Sequence, residues 1–272
     1  MTANNGFLTL RDGSKLYFED VGEGTPIVFS PGFICTTKFF QRNVEELSQQ
    51  YRVITYDPRN FGRSSCSLKG NTVKEYAADL RELIQHLKLQ DVILVGWSLS
   101  GSVVVQYAAM YNNANLKALC IHDAALYPFC SEYWNPYVYK GFNVDRWKAD
   151  HSIWYTQPNT FVNNFAGRVF KGTLPDEERA WIVEEMSKAF PWGGMELHLD
   201  WCHTDSVTPL KELLIPVIIF SSDTYGYAYG EKYASEIRTY CELHKFDRGG
   251  HMLHYYESED FDRILVEFIE KI

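Results

Sequence analysis

Apolar and polar positions alternate in short runs through the first thirty residues. Residues 7–10 lead into Asp12-Gly13, a hairpin signal. Residues 15–19 then alternate polar and apolar, and Gly22-Glu23-Gly24 turns the chain into residues 26–30. This pattern predicts three strands joined by tight turns. The period then changes. Residues 44–50 predict a short helix and 52–56 a buried strand. From Thr72 to Leu87 the apolar residues Val73, Tyr76, Ala77, Leu80, Leu83, Ile84 and Leu87 recur at helical spacing, with Thr72 as N-cap and Glu75 as its capping-box partner. Residues 92–95, 100–111 and 116–121 continue as strand, helix and strand. Such alternation predicts an α/β fold with a mostly parallel central sheet flanked by helices.

Between Tyr127 and Trp201 the rhythm breaks. Six of the seven tryptophans fall here (Trp134, Trp147, Trp154, Trp181, Trp192 and Trp201), and the one convincing regular pattern is a helix around 175–189. Alternation resumes at 215–221, 230–239, 243–246 and 260–271. The expected organisation is a core from 1–126, an inserted helical, aromatic-rich cap at 127–207, and a second core segment at 208–272.

Composition narrows the function classes. The chain has 272 residues, 46% apolar and 22% charged, an ordinary folded composition long enough for one core with an insertion. Its 26 basic and 35 acidic residues leave a net charge of -9. That balance argues against nucleic acid and against an anionic membrane surface as partners. No apolar stretch approaches the roughly 18 residues of a spanning helix. The first residues lack a basic and then apolar leader, and the six cysteines are scattered without a C-x-x-C pair. The expectation is reduced thiols and a cytoplasmic monomer or homodimer.

Candidate chemistry centres on Val92-Ile-Leu-Val-Gly-Trp-Ser-Leu-Ser-Gly101, where a buried strand runs through small residues straight into a helix. So tight a turn forces its central residue into strained backbone angles and needs small neighbours two positions either side. Gly96 and Ser100 meet that need around Ser98, whose hydroxyl is then presented at the positive end of a helix. A serine nucleophile requires a base, usually histidine. His251, in the glycine-rich Asp247-Arg-Gly-Gly-His-Met252 after the last expected strand, falls at the sheet edge where parallel strands carry catalytic loops. His254, three residues on, is expected to be a solvated loop residue.

Taken together, Ser30-Pro-Gly-Phe33, Asp57-Pro-Arg-Asn-Phe-Gly-Arg-Ser-Ser65, the Ser98 turn and Gly250-His251 resemble the α/β-hydrolase superfamily over nearly the whole chain. Within it the sequence is most similar to the cofactor-free non-haem chloroperoxidase and esterase group. The departures are Pro31-Gly32 where the family has His-Gly, G-x-S-x-S at Ser98, and Asn60 in a loop that usually reads R-G-x-G-x-S. The resemblance implies an oxyanion hole formed by the backbone N–H groups of Phe33 and Leu99. It also implies a carboxylate behind His251. Most relatives place that acid after the strand following the cap, where this chain has Asp223, two residues early. Some branches place it after the strand beyond the nucleophile helix, where this chain has Asp123. Asp123 is favoured, with Asp223 the alternative.

The expected activity is a serine hydrolase cleaving an ester, thioester or lactone bond of a small apolar or aromatic substrate, without a cofactor, and with perhydrolase or apparent chloroperoxidase chemistry as a side activity. Trp97, Tyr127, Phe129, Trp154, Trp181 and Trp192 are candidate pocket residues. The alternatives are a cofactor-independent dioxygenase or C–C bond enzyme on the same fold, and a ligand-binding receptor with weak turnover. No metal is expected: the Gly-Gly before His251-x-x-His254 argues against a helix starting there, and Trp201-Cys-His-Thr-Asp205 lacks a second ligand cluster.

Overall fold

Three strands, β3 (Pro26–Ser30), β5 (Val92–Trp97) and β7 (Val217–Ser222), are buried along their whole length. Their mostly apolar side chains face both ways, so each strand must be covered on both faces. The remaining strands are β1 (Ala3–Thr9), β2 (Lys15–Val21), β4 (Arg52–Asp57), β6 (Leu116–His122) and β8 (Cys241–Phe246). In this computed structural model, which describes residues 3–130, 143–169, 175–223 and 227–272, they form one eight-stranded sheet of order β1-β2-β4-β3-β5-β6-β7-β8. β2 runs antiparallel to β1 and β4, and every other pairing is parallel. The chain has an α/β-hydrolase-type fold.

Helices α1 (Gln41–Leu47), α2 (Val73–His86) and α3 (Leu99–Met110) connect the first strands. α2 begins as its sequence predicts: Thr72 Oγ1 accepts the Glu75 amide at 3.2 Å. The Glu75 carboxylate, however, receives the Arg11 guanidinium. Between β6 and β7 come α4 (Val144–Thr156), α5 (Pro158–Val169), α6 (Asp176–Met186), α7 (Pro191–His203) and α8 (Val207–Lys211). After β7 the chain forms α9 (Ala228–Glu236), the single turn α10 (Leu253–Tyr256) and α11 (Ser258–Lys271). Among the described residues no helix is long and apolar enough to cross a membrane.

The inserted block is more regular than its sequence suggests. Only α6 has a legible helical pattern. α4 buries just His151 and Trp154, too thin a stripe to read as periodic. α7 carries the adjacent Gly193 and Gly194, and an interior helical glycine costs roughly 1 kcal/mol relative to alanine. Both glycines are required by close approach. A Cβ on Gly193 would lie 2.3 Å from the Asn60 amide, and one on Gly194 would lie 2.2 Å from the Trp154 ring. The two ends of the insertion meet where the Ser206 amide donates to the Leu126 carbonyl at 3.0 Å. Trp134 lies outside the described residues.

Candidate active site

Strand register brings the candidate residues to one edge of the sheet. Trp97 pairs with His122 across β5 and β6, and His122 with Phe220 across β6 and β7. Ser98 and Asp123 therefore leave adjacent strand ends, Asp223 leaves the next, and His251 follows β8. The Ser98 amide donates to the His122 carbonyl at 2.9 Å, so the Ser98 turn is tied to the residue before Asp123.

Ser98 has φ 57° and ψ -125°, a region that side chains rarely adopt and that surrounding structure must enforce. A Cβ at Gly96 would meet the Ser100 carbonyl oxygen at 2.5 Å and Val104 Cγ2 at 2.6 Å, so the strand can pass the helix this closely only with glycine there. Ser100, where the family has glycine, donates its hydroxyl to the Pro31 carbonyl. This bond joins the helix after Ser98 to the loop after β3.

Of the two aspartates, Asp123 is the one hydrogen-bonded to His251: Nδ1 donates to Asp123 Oδ2 at 2.6 Å. Both side chains are buried. Asp123 also accepts from the Ser222 amide at 2.8 Å, the Ser222 hydroxyl at 2.7 Å and the Tyr229 hydroxyl. Asp223 sits one residue beyond β7 with its amide donating to the Phe246 carbonyl at 3.1 Å. The carboxylate fixes Nδ1 as the protonated ring nitrogen, which leaves the His251 Nε2 lone pair as a base.

His254 overturns its sequence expectation. Its ring is fully buried, and its Nδ1 shares a hydrogen bond with His122 Nε2 at 2.7 Å. Burial, reinforced by neighbouring imidazoles, holds the His122 pKa well below the ordinary histidine range. For His254 burial and the charge of His251 push it down to about 3. Both rings are neutral at working pH. Gly249-Gly250 does not prevent helix formation either: Gly250–Met252 forms a 3-10 turn that runs into α10. No sequence signal announces the pair, whose members are 132 residues apart.

Trp97 is likewise buried. It is 1% exposed, its ring enclosed by Phe39, Phe40, His122, His251 and His254. Its indole N–H donates to the His251 carbonyl at 2.9 Å. Gly32, the residue before Phe33, lies against Ser98. A Cβ on Gly32 would come within 3.2 Å of Ser98 Cβ, so glycine lets the loop bearing Phe33 press against the Ser98 turn. Leu99 is the first residue of α3, and its N–H has no carbonyl partner within the helix.

The remaining aromatic candidates divide. Trp154 is buried and meets the Phe33 ring edge-on at 5.6 Å; Phe165 meets the same ring at 5.6 Å and His198 at 4.7 Å. Neither Phe165 nor His198 stands out in the sequence. Trp181 packs between Phe39 and Tyr255 where α6 meets the core. Phe129 meets His203 edge-on at 4.8 Å, and Tyr127 is half-buried. Trp192 is 47% exposed on α7. Asp205 accepts the Val207 and Thr208 amides at the start of α8. Among the described residues no three His, Cys, Asp or Glu side chains gather as a metal site.

A family model for the alpha/beta hydrolase fold matches residues 25–258. The non-heme chloroperoxidase CPO-A1 of Kitasatospora aureofaciens is 25% identical, the match covering 97% of this chain and 98% of that protein. A bromoperoxidase from Bacillus anthracis superposes with a TM-score of 0.89 at 24% identity, covering 98% of this chain and 100% of that one. An esterase from Exiguobacterium antarcticum superposes with a TM-score of 0.88 at 24% identity, covering 97% and 98%. The chain belongs to the α/β-hydrolase family, of the type that includes non-haem haloperoxidases and esterases, and is an enzyme of the hydrolase class.

Proposed function

We propose that the chain is a serine hydrolase acting through an acyl-enzyme on an ester, thioester or lactone bond of a small apolar or aromatic substrate. The observation that carries this reading is the 2.6 Å bond from His251 Nδ1 to Asp123 Oδ2 at the sheet edge that also bears Ser98. In this mechanism His251 Nε2 takes the Ser98 proton as Oγ attacks the substrate carbonyl carbon. The oxyanion forms against the Phe33 and Leu99 amides, where one such donor typically contributes about 3 kcal/mol. His251 then returns the proton to the leaving alcohol, thiol or lactone oxygen. Water, deprotonated by the same nitrogen, attacks the acyl-enzyme and releases the acid. Hydrogen peroxide in place of water would give a peracid and free Ser98, in keeping with the chloroperoxidase name of the Kitasatospora relative. The aromatic surroundings of Phe33, including Trp154 and Phe165, favour an apolar acyl or aryl group.

The test is steady-state hydrolysis of phenyl esters, thioesters and lactones by wild type, Ser98→Ala and His251→Asn. Turnover on at least one class, reduced by roughly 10³-fold or more in both variants, supports the reading. Undiminished turnover in Ser98→Ala would overturn it.

A further inference from the structure

We propose that Tyr229 is a positioning residue for the acid–base pair: its hydroxyl, donated to Asp123 Oδ1, completes the carboxylate's hydrogen-bond shell and sets how strongly Oδ2 holds His251. The inference rests on the proposed role of His251 as base. It concerns a residue from a different part of the chain, 106 positions beyond Asp123.

The geometry is specific. Oδ1 accepts the Ser222 amide and the Tyr229 hydroxyl, while Oδ2 accepts the Ser222 hydroxyl and His251 Nδ1. Two of these donors come from Ser222, at the end of β7, and the third from α9, which follows it. The strand end that supplies the acid in most relatives thus supplies donors to an acid on the neighbouring strand. Gly230 makes the approach possible, since a Cβ there would lie 2.9 Å from Ser221 Oγ. Tyr229 is 1% exposed, and burial together with the Asp123 charge raises its pKa well above the ordinary tyrosine range. It therefore remains a donor at any working pH.

Each donor to a carboxylate draws charge from it. Without the Tyr229 hydroxyl, more negative charge rests on Oδ2 and the imidazolium of His251 is held more tightly. Among the described residues, the other titratable groups around the pair and Tyr229 are the neutral His122 and His254, Tyr233 against the Tyr229 ring, and Tyr227 with Asp223, Asp247 and Glu257 in its field. None of these changes in a Tyr229→Phe protein.

The experiment is the pH profile of kcat/KM for wild type and Tyr229→Phe on the best ester, alongside fluorophosphonate labelling of both. The expected result is an acid limb displaced upward by roughly half a unit or more. At pH 6 turnover falls several-fold, at pH 9 it recovers, and KM is unchanged. The downfield proton resonance of His251 Nδ1 should move as well, a readout available even if the variant is less stable. A coincident limb and an unmoved resonance would overturn the inference. If wild type is neither labelled nor active, it is the proposed function that fails.

Discussion

The indole N–H of Trp97 donates to the carbonyl oxygen of His251 at 2.9 Å. The residue before the proposed nucleophile therefore holds the backbone of the proposed base, across 154 positions of sequence. Other groups hold the same segment: Asn43 Nδ2 donates to the His254 carbonyl at 3.0 Å and Arg42 to the Tyr255 carbonyl at 2.8 Å. A base placed by this many contacts needs little reorganisation during turnover. Trp97→Phe keeps the ring packing and removes the donor. It should cost about 1 kcal/mol of stability and lower kcat roughly fivefold to tenfold with little change in KM. Urea titration and steady-state kinetics check both, and unaltered kinetics would count against the tether.

Ser100 departs from the family's glycine and makes a new bond, from its hydroxyl to the Pro31 carbonyl. Ser100→Ala leaves that buried carbonyl without this donor and frees the loop bearing Phe33. Stability should fall by about 1–3 kcal/mol, and kcat should fall more than KM rises, because a displaced Phe33 amide weakens only the transition state. A change confined to KM would place the loop outside the oxyanion site.

Helix α7, between β6 and β7, is seated through Asn60 and Gly193. Asn60 occupies a left-handed φ of 70°, a conformation that asparagine tolerates better than most residues. Its carbonyl accepts the Phe190 amide at 2.7 Å, its Oδ1 accepts the Ser67 amide at 2.7 Å, and its Nδ2 donates to Asn71 at 2.7 Å. An amide held this way cannot yield to a methyl group on Gly193. Gly193→Ala should lower stability by about 2 kcal/mol and raise KM through a displaced α7. Calorimetry and kinetics test it; a fully tolerated alanine would show that the seat is loose.

This seat also marks the limit of what could be read from the chain. The Ser98 turn is legible because its strain restricts which residues can surround it, and β3, β5 and β7 are legible because strands buried on both faces are mostly apolar. The docking of α7 on Asn60 is not, since two glycines inside a helix look locally like a break. Nor could sequence spacing choose between Asp123 and Asp223. That choice depends on where β6 and β7 end relative to His251, a tertiary relationship. The burial of Trp97 and His254 is hidden for the same reason.

Asp262 gives a pH prediction. Burial raises its pKa to about 7, against the opposing bond from Asn43 and with help from the charge of Glu46. Asn43 Nδ2 reaches Asp262 Oδ1 at 2.7 Å. Because the folded value lies above the ordinary one, folding favours the protonated acid. Its contribution is greatest at low pH and is lost as pH rises through about 7. Buried His122 and His254 act oppositely, destabilising the fold as pH falls below about 6.5. The difference between wild type and Asp262→Asn cancels the histidine contribution. From pH 5 to 8 wild type should lose stability relative to the variant, by up to about 1.4 kcal/mol per unit. Urea titrations at several pH values measure this, and a constant difference would contradict it.

Intact-mass analysis after exposure to a fluorophosphonate reads out whether Ser98 is activated. Wild type should gain one adduct per chain, lost in Ser98→Ala and strongly slowed in His251→Asn. A folded wild type that stays unlabelled, or equal labelling of Ser98→Ala, would contradict the account.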